Sequence, residues 1–217
     1  MKILEHGFCY LIRHMGSDID IAKIARQSTK SKRENLGIID NLIRNEHKTP
    51  FEFAVFWFHI KCPIDTARQI MRHRTASYNE KSGRYTEYNG EVHLFDYCDP
   101  TYTSETYYYY KGLISDKIVK KEEARRLLPL GSYTEFYMKI DLNNLMNFWH
   151  LRISDKAQPE IREYAIAMKT LISRTGYFNE TLKAFNKYND LRNIFKKCLN
   201  KKDTDKLFSL LEEFNNG

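Results

Sequence analysis

Apolar residues recur along this chain at two different periods, and the change from one to the other marks its elements. Ile21, Ile24 and Ala25 fall at helical spacing after Ser17, so a helix is predicted to about Gln27, with Ser17 or Asp18 as its cap. Leu36, Ile39, Leu42 and Ile43 stripe a second helix within Lys32 to Glu46, which ends before Thr49-Pro50. From Phe51 to Lys61 aromatic and β-branched residues occupy both alternating faces. That pattern predicts a strand covered on both sides, at the centre of a sheet. Pro63 suits the start of a helix, with the Asp65 carboxylate in its first turn and an end near Arg74. Ser77 to Asn89 holds no apolar period and contains Ser82-Gly83, which predicts a loop. Val92 to Phe95 reads as a short strand, and Ser104 to Leu128 as helix broken near Gly112 and stopped by Pro129. Tyr133 to Ile140 is the second strong strand. A helix carrying Leu142, Leu145, Met146 and Trp149 follows, capped by Asp141, and the next carries Ile161, Ala165, Met168 and Leu171. Leu191 to Leu199 and Thr204 to Phe214 read as closing helices. With no repeat and no composition break, the pattern predicts a single mixed α+β domain over residues 1–217.

Composition narrows the class. At 42% hydrophobic and 29% charged the 217 residues can bury a sizeable core, which excludes general disorder. Cys9, Cys62, Cys98 and Cys198 lie far apart without a Cys-x-x-Cys pair, so a reducing cytoplasm is expected rather than a disulfide scaffold. Glu5 and His6 interrupt the N-terminal apolar stretch, unlike a signal peptide, and no apolar run approaches the roughly 20 residues that a bilayer requires. The formal charge of +7 points to an anionic partner without naming it.

The chemistry concentrates in Gln69 to Tyr85. Arg72, Arg74, Lys81 and Arg84 oppose the single Glu80 there, leaving +3. On a helix Gln69, Arg72 and His73 would share a face. Guanidinium forks match phosphate oxygens, and a Ser-Gly turn adds a hydroxyl and approachable N–H groups. Glu80 would repel phosphate, so it is assigned to orienting an arginine or accepting from a ribose or base. These residues by themselves read as a site for a nucleotide or a phosphate-bearing cofactor.

Arg72-His73-Arg74, followed by Ser82, resembles the Arg-His-Arg-x7-Ser motif of the flavin-dependent thymidylate synthases. His47-Lys-Thr-Pro-Phe-Glu52, Ala67-Arg68-Gln69, Ala124-Arg125 with Leu128-Pro129, Leu145-Met-Asn-Phe148, Leu151-Arg152 and Ala157-Gln158 resemble the family's other blocks, in order, from about Ser28 to Glu163. The resemblance implies an α+β domain with a central, largely antiparallel sheet flanked by helices, assembled as a homotetramer with active sites shared between subunits. It implies FAD as cofactor, dUMP as substrate, 5,10-methylenetetrahydrofolate as carbon donor and NADPH as reductant. Carried over by position, His47, Thr49, Arg72, His73, Arg74, Glu80, Asp141, Leu142, Asn143 and Asn147 would hold FAD. The dUMP pocket would use Gln69, Arg72, Arg125 and Arg152, with Glu80, Lys81, Ser82, Gly83 and Arg84 from another chain. Arg152 would be catalytic, favouring the anionic uracil ring ionised at N3. Asn143 stands where the family has an arginine and Lys156 where it has a histidine.

Each feature also has a plainer reading. None of the four cysteines lies in a basic motif, so a thiolate nucleophile is not expected. His47 suits a helix C-terminus as well as a flavin site, and His59 reads as a satisfied core residue. Arg126 and the lysine pairs at 120–121 and 201–202 read as solvated surface. Tyr107 to Tyr110 read as subunit packing rather than base stacking. The histidines show no metal spacing, so no metal is assigned. A basic nucleic-acid-binding protein and a family member without turnover remain as alternatives; no nucleic-acid or membrane partner is expected.

Overall fold

The computed structural model describes residues 1–27, 35–95, 97–201, 206 and 209. Its elements in chain order are β1 (Lys2–Ile3), β2 (Gly7–Met15), α1 (Asp18–Gln27), α2 (Ile38–Arg44), α3 (Thr49–Glu52), β3 (Val55–Pro63), α4 (Ile64–Ile70) and β4 (Ser77–Glu80). There follow α5 (Pro100–Ser115), α6 (Lys121–Ala124), a 3-10 turn (Arg125–Leu127), β5 (Tyr133–Asp141), α7 (Leu142–Arg152), α8 (Pro159–Ser173) and α9 (Asn179–Lys201). Contacts divide the chain into two compact units, Met1–Met15 with Val55–Arg174 and Gly16–Ala54 with Thr175–Gly217.

The first unit is built on a five-stranded antiparallel sheet in the order β1-β2-β3-β5-β4, so β3 is central as its apolar content predicts. Alternation sets its buried face: Phe56, Phe58, Ile60 and Cys62 are fully buried, and the register aligns the first three with Ile140, Met138 and Phe136 of β5. Helix α8 covers β2 with Ile161, Tyr164, Ala165, Met168 and Ile172, one stripe at helical spacing, while α4 and α7 pack on β3 and β5. The opposite face is not covered by the described residues. Trp57 is 50% and Tyr137 52% exposed there, so the expected double cover of β3 is corrected. His59 lies on that open face, not in the core; it is satisfied by Glu135 Oε1 at 2.6 Å and stacked on Tyr137. Gly7 is dictated by closeness: a Cβ would meet Ile3 O at 2.6 Å and collide with the Tyr164 hydroxyl, which donates to Lys61 O at 2.6 Å.

Several boundaries move. Phe51 and Glu52 belong to α3, not to the strand. Ser77–Glu80 pairs with β5 as an edge strand rather than forming loop, since pairing there needs backbone groups and not apolar periodicity. Val92 makes only an isolated bridge, to Ser132. Helix α5 starts four residues earlier than predicted because Pro100 takes its first position and Asp99 accepts from Thr101 N at 2.9 Å, and the break predicted near Gly112 falls just beyond it, between Ser115 and the start of α6 at Lys121. Tyr110 is fully buried against Tyr88 with Tyr107 stacked beside it, so these two tyrosines pack inside the chain, while Tyr108 and Tyr109 are exposed.

In the second unit Ser17 is the residue that caps α1, accepting from Asp20 N at 3.3 Å. Asp18 is buried and serves α9 instead, accepting from Glu180 N at 2.7 Å and Thr181 N at 3.2 Å. Helix α9 begins at Asn179, well before the predicted Leu191, because its polar sequence hides the buried positions Thr181, Leu182, Ala184 and Phe185. Most of the predicted helix Thr204–Phe214 lies outside the described residues, as does the start predicted for α2 at Lys32.

Candidate active site

The basic cluster sits on a turn, not on a helix face. Helix α4 ends at Ile70 with Met71 as its cap, and the chain then turns through His73 N to Ile70 O at 3.1 Å and Ala76 N to His73 O at 3.1 Å. The expected continuation to Arg74 is therefore corrected. Four residues later β4 presents Tyr78, whose hydroxyl lies 3.0 Å from Ile70 O and 2.9 Å from His73 O and ties the turn to the sheet. On a helix three successive side chains spread over most of a circle. Here Arg72 and Arg74 are exposed while His73 between them is turned inward, its ring edge-on to Phe148 at 4.7 Å. Neither arginine forms an ion pair with a carboxylate among the described residues.

Inside the turn, Arg152 at the end of α7 donates from Nε to His73 Nε2 at 3.2 Å. Burial, and then the Arg152 charge, lowers the His73 pKa below its ordinary value near 6.5. Gln69 hydrogen-bonds Gln158, which stands just before α8. Gln69, His73, Arg152 and Gln158 thus meet where α4, α7 and the entry to α8 converge.

A second group is formed by residues 80–88. Glu80 accepts from the buried Thr134 hydroxyl at 2.6 Å, so its carboxylate is oriented from within the sheet rather than by an arginine. Lys81 donates to Glu87 O at 2.9 Å and lies 4.8 Å from the Tyr88 ring centroid. Ser82 O accepts from Tyr85 N, Thr86 N and the Thr86 hydroxyl, and Ser82 Oγ accepts from Arg84 N at 3.3 Å. A tight bend results, with Gly83 wedged where a Cβ would come within 3.0 Å of Tyr88 and 3.1 Å of Arg125. Arg84 pairs with Glu122 at 3.1 Å, both partly exposed, and borders a shallow cavity of about 770 Å³ lined also by Ile114, Lys117 and Lys120.

The third predicted segment opens α7. Asp141 spends its carboxylate on the helix, accepting from Asn144 N at 2.9 Å and Asn144 Nδ2 at 2.6 Å. Leu142 and Asn143 are buried, which leaves Leu142 only its backbone to offer a ligand; Asn147 is exposed. His47 and Thr49 belong to the other unit. Both are exposed, and the His47 backbone N–H donates to Leu42 O at 2.8 Å just beyond the end of α2. Cys9 and Cys62 are buried, which pushes the Cys9 thiol up to about 12 and Cys62 well above its ordinary value. Tyr78, Phe148 and Thr134 hold the site together; Phe148 lies in a block that resembles the family, while Tyr78 and Thr134, as common residues of a strand, carry no sequence signal for it.

A profile for the family described as "Thymidylate synthase complementing protein" matches residues 10–175. Among curated proteins, a flavin-dependent thymidylate synthase of Treponema denticola is 41% identical, covering 77% of this chain and 75% of its own. Another, of Thermotoga neapolitana, is 36% identical over 87% of this chain and 94% of its own. Among solved structures, the UMP/dUMP methylase PolB of Streptomyces cacaoi bound with 5-Br dUMP superposes with a TM-score of 0.73 at 25% identity, over 86% of this chain and 97% of that one.

Proposed function

The chain belongs to the thymidylate synthase complementing protein family, as an enzyme of the flavin-dependent thymidylate synthase kind, and from that premise we propose that it converts dUMP to dTMP with FAD as cofactor. The carbon comes from 5,10-methylenetetrahydrofolate and the reducing equivalents from NADPH. The working form is a cytoplasmic homotetramer whose sites combine residues of neighbouring subunits.

The observation that carries this reading is the inward guanidinium of Arg152, held through Nε by His73. A guanidinium has five N–H donors, so four remain for a ligand once Nε–H is engaged. Such a group stabilises a uracil ring that has lost its N3 proton to water more than the neutral ring, and it raises electron density at the carbon that must be alkylated. No enzyme thiolate is then required. The raised pKa values of Cys9 and Cys62 support that division, because a buried thiol is a poor source of thiolate at neutral pH.

The residues also fit an FAD diphosphate. Arg72 and Arg74 offer exposed guanidinium groups, and the first turn of α7 offers amide N–H groups near Asp141, Leu142 and Asn143. His47, Thr49, His73, Glu80 and Asn147 complete the proposed cofactor set, with Asn143 supplying an uncharged contact. When bound, the flavin supplies the redox chemistry. The dUMP phosphate falls to Ser82, Gly83 and Arg84, with Lys81 and Arg125 beside them and Gln69, Arg72 and Glu80 directed to the nucleoside. Exchanging the exposed Arg84–Glu122 pair for phosphate costs little, since such pairs contribute about 0–1 kcal/mol.

The test is direct. Purified protein supplied with FAD, dUMP, methylenetetrahydrofolate and NADPH should show bound oxidised flavin in its visible spectrum and form dTMP. A flavin-free spectrum in excess FAD together with no dTMP would overturn the proposal.

A further inference from the structure

We infer that His73 is a positioning residue for Arg152: its unprotonated Nε2 accepts the Arg152 Nε–H and aims the remaining guanidinium donors at the ionising pyrimidine. The inference rests on the reading of Arg152 given above and adds a partner that fixes it. A guanidinium has no acceptor, so a contact of 3.2 Å between Arg152 Nε and His73 Nε2 requires the histidine to be neutral, with its proton on Nδ1. Neighbouring groups lock the ring in that pose. Phe148, one helical turn before Arg152 on α7, meets it edge-on at 4.7 Å with the planes at 76°. The Tyr78 hydroxyl, from β4, lies 2.9 Å from the His73 carbonyl and fixes the backbone that carries it.

Among the described residues, the charged and titratable groups around the ring are Arg152 from α7, the Tyr78 phenol from β4, and Arg72 and Arg74 on its own turn. None is a carboxylate, so nothing here favours imidazolium, and burial and the Arg152 charge both hold the ring neutral. Protonation would turn Nε2 into a donor facing another donor, and two cations would then oppose each other. The pair therefore acts as a gate: Arg152 is aimed while His73 is neutral and released once it is charged. A flexible four-torsion side chain freed in this way samples many rotamers, and preorganised charge is lost to disorder rather than to distance.

The test uses tetrahydrofolate-free, flavin-saturated enzyme with 5-bromo-dUMP, whose halogen acidifies N3 and whose ultraviolet spectrum reports ionisation. The wild type should lower the ionisation midpoint of the bound nucleotide relative to the free one. His73→Phe keeps the ring packing but removes the acceptor; it should raise that midpoint and lower kcat on the order of tenfold, as for the loss of one hydrogen bond to a charged group, with KM for dUMP nearly unchanged. His73→Gln, which places an oxygen near the Nε2 position and cannot be protonated, should restore both. As a measurement that does not depend on His73→Phe folding, the wild-type kcat should fall as pH drops through the lowered His73 pKa, and His73→Gln should lack that acid limb. A midpoint in His73→Phe equal to the wild type, or an acid limb that persists in His73→Gln, overturns the inference. Arg152→Ala separates it from the parent reading: an unshifted midpoint in that variant sinks the role of Arg152 itself, whereas a shift in Arg152→Ala without one in His73→Phe sinks only the role of His73.

Discussion

At the scale of single residues, the three members of Arg72-His73-Arg74 have different surroundings although they are adjacent. The two arginines face outward and the histidine inward, so their substitutions should separate. Arg74→Ala is expected to lose flavin, read as the visible absorbance retained through gel filtration. Arg152→Ala is expected to keep flavin while dTMP formation falls roughly 10²–10³-fold, the cost of removing a preorganised donor to a developing anion. Equal flavin loss in both would contradict the division. Cys62→Ala, at a buried site on β3, should retain dTMP formation in soluble protein, and its abolition would revive a thiolate route.

Elements carry the next set of consequences. Helix α7 starts at a capped end and finishes at Arg152, so the cap and the guanidinium proposed as catalytic share one rigid body. Asp141→Ala removes the acceptor for Asn144 N and should cost about 1 kcal/mol in urea unfolding. The turn between β1 and β2 is joined to α8 through His93, in the segment between β4 and α5, whose Nδ1 lies 2.8 Å from Glu5 Oε2 and whose Nε2 lies 3.6 Å from Glu160. Burial would lower the His93 pKa, but the two carboxylates outweigh it and raise the value, while hydrogen bonding to His93 lowers that of Glu5. A raised histidine contributes its full stability below its unfolded value of about 6.5 and loses it as pH rises through the folded one. Glu5 contributes above its own unfolded value near 4.5 and fails in stronger acid. With Glu5 largely exposed, the bridge is worth about 0.5–1 kcal/mol. Urea midpoints of the wild type should therefore decline relative to His93→Gln as pH rises from 6 to 8; parallel curves would refute the linkage.

For the whole molecule, the proposed homotetramer predicts a solution mass near four times 25.9 kDa, measurable by light scattering on the purified protein, and a stable monomer with full activity would contradict shared sites. The central place of β3 was legible from its run of aromatic and β-branched residues, a signal that is local and needs no partner to be read, whereas the order of the strands beside it was not. The ordered motifs were equally legible, because a ligand's charge and shape demand particular side chains wherever the chain bends to meet it.

Other features depended on residues outside their own element. The end of α4 at Ile70, the strand at Ser77–Glu80 and the early start of α9 have no apolar signature; the first is tied by Tyr78 of β4, five to eight residues on, and the other two by partners far away in sequence, Lys139 to Phe136 across the sheet and Asp18 at the helix terminus. The uncovered face of β3 was likewise hidden, since an aromatic residue such as Trp57 carries the same pattern whether or not the chain itself covers it. The sequence by itself determined the mixed α+β character, the family's motifs and the arginines assigned to them. Only the tertiary structure decided that His73 turns inward to meet Arg152 while its neighbours stay outside, because a contact across 79 positions depends on how two elements pack and not on the spacing within either one.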